Sequence, residues 1–168
     1  SLGGYDPYSN SKACSELITS SFQNSFFNDE SPGKHLASVR AGNIIGGGDW
    51  SENRLIPDIM KSLYKDSPLI LRNPNGIRPW QHVLDPLHGY LILVEHLWNN
   101  GTKFSEAWNF GPEPDSFKPV SWIINKISES WGTPIKWQKS EQNFHETHVL
   151  SLNCSKSKTE LNWNPKLN

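Results

Sequence analysis

The sequence has no surplus of either charge: 16 Lys and Arg stand against 17 Asp and Glu in 168 residues, a formal net charge of −1. A nucleic-acid or polyanion partner calls for a basic excess, so that class falls away. Cysteine is scarce. Cys14 and Cys154 are the two in the chain, and they form neither a disulfide framework nor a metal spacing. No apolar run approaches the roughly 18 residues of a membrane span. The start, Ser1-Leu2-Gly3-Gly4, has no basic-then-apolar leader, and the expectation is a cytoplasmic protein without a membrane partner. In that setting the sequons Asn100-Gly101-Thr102 and Asn153-Cys154-Ser155 carry no weight. Internal repeats and low-complexity tracts are missing as well.

What is present is a chain long enough for one domain with a real core, in which helical and strand patterns alternate. Apolar residues at helical spacing (Leu17, Ile18, Phe22, Phe26) mark a helix over 7–27, with Asp6 as N-cap and Pro7 at the first helical position. Residues 28–34 are a turn-rich break. Residues 36–40 read as a strand running into a Gly46-Gly47-Gly48 loop. Further helices are expected at 54–65, 85–98, 120–131 and 155–161. Short strands are expected at 69–71, 108–110 and 135–137, with a turn at Asn73-Pro74-Asn75-Gly76. The fold class is α/β.

One absence bears on function. An α/β protein that binds a dinucleotide normally carries a glycine-rich turn between its first strand and helix, and these 168 residues have none; Gly46-Gly47-Gly48 has the wrong spacing. Yet Tyr8 and Lys12 are i and i+4 on the first predicted helix and share a face. A phenol titrates near ~10 and is a poor base at neutral pH. A nearby ammonium favours the phenolate, and such a pair can take a proton from a hydroxyl. Taken alone, the two residues read better as ordinary helix-surface positions, since Tyr-x-x-x-Lys is a weak pattern.

The motifs in order are "YDPYSNSKACSE", "VRAGNIIGGGDWSENRLIPD", "RPWQHVLDPLHGYL", "WNFGP" and "HETHVLSLNCSKSKTELNW". The series resembles the C-terminal half of an extended short-chain dehydrogenase/reductase, over about residues 2–165. The first motif marks the superfamily. The Gly-Gly-Gly-Asp-Trp, Arg-Leu-Ile-Pro-Asp and Arg-Pro-Trp-Gln-His segments resemble the CDP-glucose 4,6-dehydratase family within it. The resemblance implies the C-terminal part of a Rossmann-type fold plus its small substrate-binding domain. Residues 1–45 would end the cofactor half. Residues 46–168 would be mostly substrate-binding, interleaved with remaining Rossmann elements. It also implies that the chain begins partway through a protein about twice as long and, without the cofactor half, is inactive alone.

The resemblance further implies an NAD-dependent hydro-lyase that converts CDP-glucose to CDP-4-keto-6-deoxyglucose, an intermediate on the way to dideoxy sugars of polysaccharides. NAD would take a hydride from C4 and return it to C6 after water leaves. Tyr8 would take the C4 hydroxyl proton. Lys12 would support it and hold the nicotinamide ribose, so both are catalytic and cofactor-binding. Asn43, Arg54, Leu55, Arg78, Trp50 and His145 would bind the substrate. An arginine fork matches two phosphate oxygens at once. Arg78, fixed beside Pro79 and Trp80 after a tight turn, is the firmer assignment. Arg54 equally suits a helix-start surface position, Trp50 equally suits loop packing, and Gly42 allows close backbone approach. His145 and His148 are i, i+3, but no third ligand stands near them, and no metal is expected. His82 and His88 read as structural. Val149 and Asn153 depart from the family, which commonly has an aromatic residue and an acid there. A homodimer through helices 7–27 and 85–98 is implied, with Leu91, Val94, Leu97 and Trp98 serving that seam or the core. Two alternatives stay open: another NAD-dependent sugar-nucleotide epimerase or reductase, and a non-catalytic CDP-sugar-binding or dimerisation fragment.

Overall fold

The structure is a computed structural model and describes residues 4–27, 33–141 and 148–167. The chain forms two compact units, each assembled from separate stretches of sequence.

The first unit takes the residues up to Ala41, then Asp85–Phe110 and Asn153–Asn164. It opens on helix α1 (Pro7–Phe26). The Asp6 side chain accepts from the Ser9 N–H at 3.0 Å, and the Ser9 hydroxyl lies 3.4 Å from the Asp6 N–H, a reciprocal cap that fixes the first turn. Strand β1 (Ser38–Ala41) pairs in parallel with β5 (Ala107–Phe110), Val39 opposite Trp108. Helix α3 (Leu84–Asn100) and the short helix α5 (Ser155–Glu160) complete the unit. Its core holds Leu93, Phe104, Trp108, Phe110, Leu161 and Trp163. Trp163 meets Phe110 edge-on at 5.0 Å and donates its indole N–H to the Asp85 carbonyl at 3.1 Å, so both its apolar body and its polar edge are satisfied. A Cβ at Gly89 would fall 2.4 Å from the Phe110 ring, so the close approach requires glycine.

The second unit takes Gly42–Leu84, Gly111–Leu152 and Pro165 onward. Strands β2 (Asn43–Ile45), β4 (Ile77–His82) and β6 (Phe117–Pro119) form one sheet, with β4 in the middle. β4 runs parallel to β2 over Trp80–His82 and antiparallel to β6 over Ile77–Pro79. Pro79, which has no N–H to give, thus sits where one ladder hands over to the other. β3 (Leu69–Leu71) pairs in parallel with β7 (Trp137–Lys139). Helices α2 (Leu55–Lys65) and α4 (Val120–Trp131) cover a core of Ile59, Leu69, Leu71, Trp80, Ile123, Ile124 and Ile135. α2 ends at Asp66 and α4 at Gly132, both in the left-handed region that closes a helix.

The α/β reading and the helix positions agree with this architecture. Two differences have plain causes. The strand expected at 135–137 runs over Trp137–Lys139, because the β3 ladder begins at Trp137. The stripe Leu17, Ile18, Phe22, Phe26 on α1 faces outward, and α1 has no buried residue. Among the described residues, no helix is long and apolar enough to cross a membrane.

Candidate functional site

In the first unit, the cap at Asp6 sets the register of α1 and places Tyr8 and Lys12 one turn apart on its surface. The Lys12 ammonium stands 5.4 Å from the centre of the Tyr8 ring, a cation–π contact. Tyr8 is 73% exposed and Lys12 is exposed too, so the pair is open to a ligand. Behind the helix, Glu16 bonds Arg40 of β1, with Arg40 Nε 2.5 Å from Glu16 Oε1, and the Gln23 side chain donates to the Ser105 carbonyl. The Arg40 hydrogen bonds hold the Glu16 carboxyl below its ordinary range, although burial opposes them. These contacts pin the helix that carries Tyr8.

In the second unit lies a groove of about 910 Å³. Asn43 of β2 and Arg78 and Trp80 of β4 line one part of it. Leu55, Asp58, Lys61 and Lys65 of α2 line another, and Ile70, Arg72 and Lys139 come from β3 and β7 or just beyond. Five cations (Lys61, Lys65, Arg72, Arg78, Lys139) face two carboxylates (Asp58, Glu141), a balance that favours an anionic ligand. Arg78 folds back over the turn, its Nη1 donating to the Ile77 carbonyl at 2.9 Å. Gly76 makes room for it: a Cβ there would lie 3.1 Å from Nη1. Asn53, in the left-handed region, accepts from Arg72 Nη2 at 3.4 Å.

The structure therefore brings Asn43, Leu55 and Arg78 to one groove. Arg54 and Trp50 are not among its walls. Arg54 Nη1 lies 3.6 Å from Asp49, and Trp50 is 68% exposed. His145 lies outside the described residues. His148 is exposed, its carbonyl accepting from the Ile77 N–H at 2.9 Å. Val149 is bridged to Ile77, and Asn153 Oδ1 accepts from the Ser155 N–H at 2.9 Å. Sequence reasoning missed Asp58, Lys61 and Lys65, although their i, i+3, i+7 spacing on a predicted helix signalled one shared face. Arg72 and Lys139 had no such signal. They meet only because β3 and β7, far apart in sequence, pair in register.

No family model matches the chain. It is 53% identical to the CDP-glucose 4,6-dehydratase of Salmonella typhimurium over 169 residues, which is 98% of this chain and 47% of that enzyme. Among solved structures, the dTDP-glucose 4,6-dehydratase of Bacillus anthracis, in complex with NAD, superimposes with a TM-score of 0.76 at 22% identity, over all of this chain and 50% of that one. The UDP-glucuronic acid 4-epimerase of Bacillus cereus, in complex with UDP-glucuronic acid and NAD, does so with a TM-score of 0.81 at 17% identity, over 97% and 48%. The chain spans about half the length of the relatives it matches. By sequence the chain is a relative of CDP-glucose 4,6-dehydratase over about half of that enzyme's length, and its fold is that of about half of the dTDP-glucose 4,6-dehydratase and UDP-glucuronic acid 4-epimerase chains.

Proposed function

We propose that this chain supplies the proton-transfer pair and the substrate groove of an NAD-dependent dehydratase that converts CDP-glucose to CDP-4-keto-6-deoxyglucose. The observation that carries the reading is the 53% identity to CDP-glucose 4,6-dehydratase along 98% of the chain. The cation-rich groove supports it, since a nucleotide diphosphate is the ligand such a groove suits.

Tyr8 and Lys12 fit the dinucleotide because both side chains are exposed on one face of α1, so a ribose and a sugar hydroxyl can reach them together. NAD, when bound, supplies acceptance and return of a hydride at the sugar. Tyr8 takes the proton of the C4 hydroxyl through its phenolic oxygen. Lys12 holds its charge beside that ring and binds the ribose hydroxyls. In the groove, Arg78 and Asn43 hold the diphosphate, and Leu55 packs on the nucleoside. In the cell the protein works in the cytoplasm as a homodimer through the exposed apolar faces of α1 and α3. These 168 residues carry no glycine-rich cofactor turn, and on this reading they do not turn over by themselves.

Isothermal titration of this chain with CDP-glucose, and with dTDP-glucose as control, tests the reading. Binding of CDP-glucose, tighter than that of dTDP-glucose, is the expected result; failure to bind CDP-glucose overturns the reading.

A further inference from the structure

The groove holds a carboxylate where a diphosphate alone has no use for one. Asp58 lies in the first turn of α2 and lines the groove with Leu55, Ile70 and Arg72. The plain explanation is a helix-start acid paired with its neighbour Lys61. The geometry argues against that as its whole role. The Lys61 ammonium stands 4.0 Å from Asp58 Oδ1, at the outer limit of an ion pair and beyond hydrogen-bond reach. Burial, with the nearby Glu52 carboxylate adding to it, pushes the Asp58 carboxyl up by more than Lys61 and Arg72 draw it down. Among the described residues, no side-chain donor bonds this carboxylate. A half-exposed carboxylate in the wall of a cation-rich groove is placed to accept from a ligand donor.

On the reading that the groove holds a CDP-sugar, we propose that Asp58 selects the base: its carboxylate accepts from the exocyclic amino group of cytosine, and the Arg72 guanidinium beside it donates to ring N3 and O2. Cytosine presents a donor at C4 and acceptors at N3 and O2. Uracil and thymine present an acceptor at C4 and a donor at N3. A carboxylate next to a guanidinium complements the first pattern and opposes the second at two adjacent positions. Leu55 and the half-exposed Ile70 give the ring apolar surface to lie on. Arg78 and Asn43, on β4 and β2, serve the diphosphate, while Asp58 and Arg72 stand on α2 and just past β3, so the two tasks fall to different elements.

CDP and UDP share ribose and diphosphate and differ only in the base, so their titration isolates this contact. The chain is expected to prefer CDP by about 10- to 100-fold. Asp58→Asn presents both a carbonyl and an amide, fits either base, and should bring the ratio to within about threefold while UDP binds as before or better. Should D58N lose both nucleotides, Asp58→Ser, which also donates and accepts, is measured in its place with the same expected ratio. Equal binding of CDP and UDP by the unaltered chain, with CDP-glucose still bound, overturns the selector and leaves the sugar-nucleotide groove standing. An unchanged ratio in the variant does the same. If the unaltered chain binds neither nucleotide and no CDP-glucose, the reading of the groove fails and the selector with it.

Discussion

Gly42 and Gly76 look alike in the sequence, and the structure gives them different work. A Cβ at Gly42 would lie 2.6 Å from the Pro79 carbonyl oxygen, backbone against backbone, where nothing can yield. Gly42→Ala should therefore cost about 1–3 kcal/mol of stability, read as a lower denaturant midpoint. A Cβ at Gly76 meets the far end of the Arg78 side chain at 3.1 Å, and that end can swing away. Gly76→Ala should leave the unfolding midpoint nearly unchanged and weaken CDP-glucose binding about tenfold, because the guanidinium is displaced. The close approach at Gly42 was legible in the sequence. Gly76 was legible only as a turn residue, because its neighbour across the turn is a side chain whose direction depends on β4. The same limit hid Asp58: its spacing on α2 was readable, but the groove it faces is made by β3 and β7.

At the scale of elements, α1 is held to β1 by a carboxylate–guanidinium pair, and that pair has a pH signature. The folded state depresses the Glu16 carboxyl through the Arg40 hydrogen bonds. The contribution is therefore present above the ordinary glutamate range and is lost as pH falls through the lowered value. Arg40, shifted up by the same bond, stays charged throughout. Glu16→Gln should lower the melting temperature at pH 7 by an amount worth at most about 1 kcal/mol, since both side chains are partly exposed. Thermal scans of the two proteins should converge as the pH is brought well below 4.5. Helices α1 and α4 were legible because they carry their own punctuation: Asp6 and Pro7 open α1, and Gly132 closes α4. Strands β2, β4 and β6 were not. β2 and β6 are three residues long, and β4 carries Pro79, which in a sequence argues against a central strand. Only the handover between its two ladders makes that proline acceptable.

At the scale of the whole molecule, Tyr8 and Lys12 sit in one unit and the groove in the other. Neither unit contains the glycine-rich cofactor turn, so the chain with NAD and CDP-glucose should release no 4-keto-6-deoxy product. Joined to the N-terminal half of its Salmonella relative, it should. Tyr8→Phe in that chimera should then cut turnover by about 10²- to 10⁴-fold without a matching loss of CDP-glucose affinity. The exposed apolar faces belong to this scale too. Leu91 and Val94 on α3 are 70% and 60% exposed, and the proposed homodimer would cover them. Sedimentation should show a dimer that Leu91→Asp converts to monomer.

The first unit also sets an order of events during synthesis. Its strands β1 and β5 can pair once Phe110 has been made, but the ring that fills the space beside Phe110 belongs to Trp163, fully buried and about fifty residues further on. At roughly 5–20 residues per second a ribosome takes some 3–10 s to cover that gap. Throughout it the nascent sheet carries an open aromatic socket, and the second unit's stretch of chain is threaded out in the meantime. Any factor that shields hydrophobic surface on emerging chains has its window there, and a pause in translation between 111 and 152 would lengthen it.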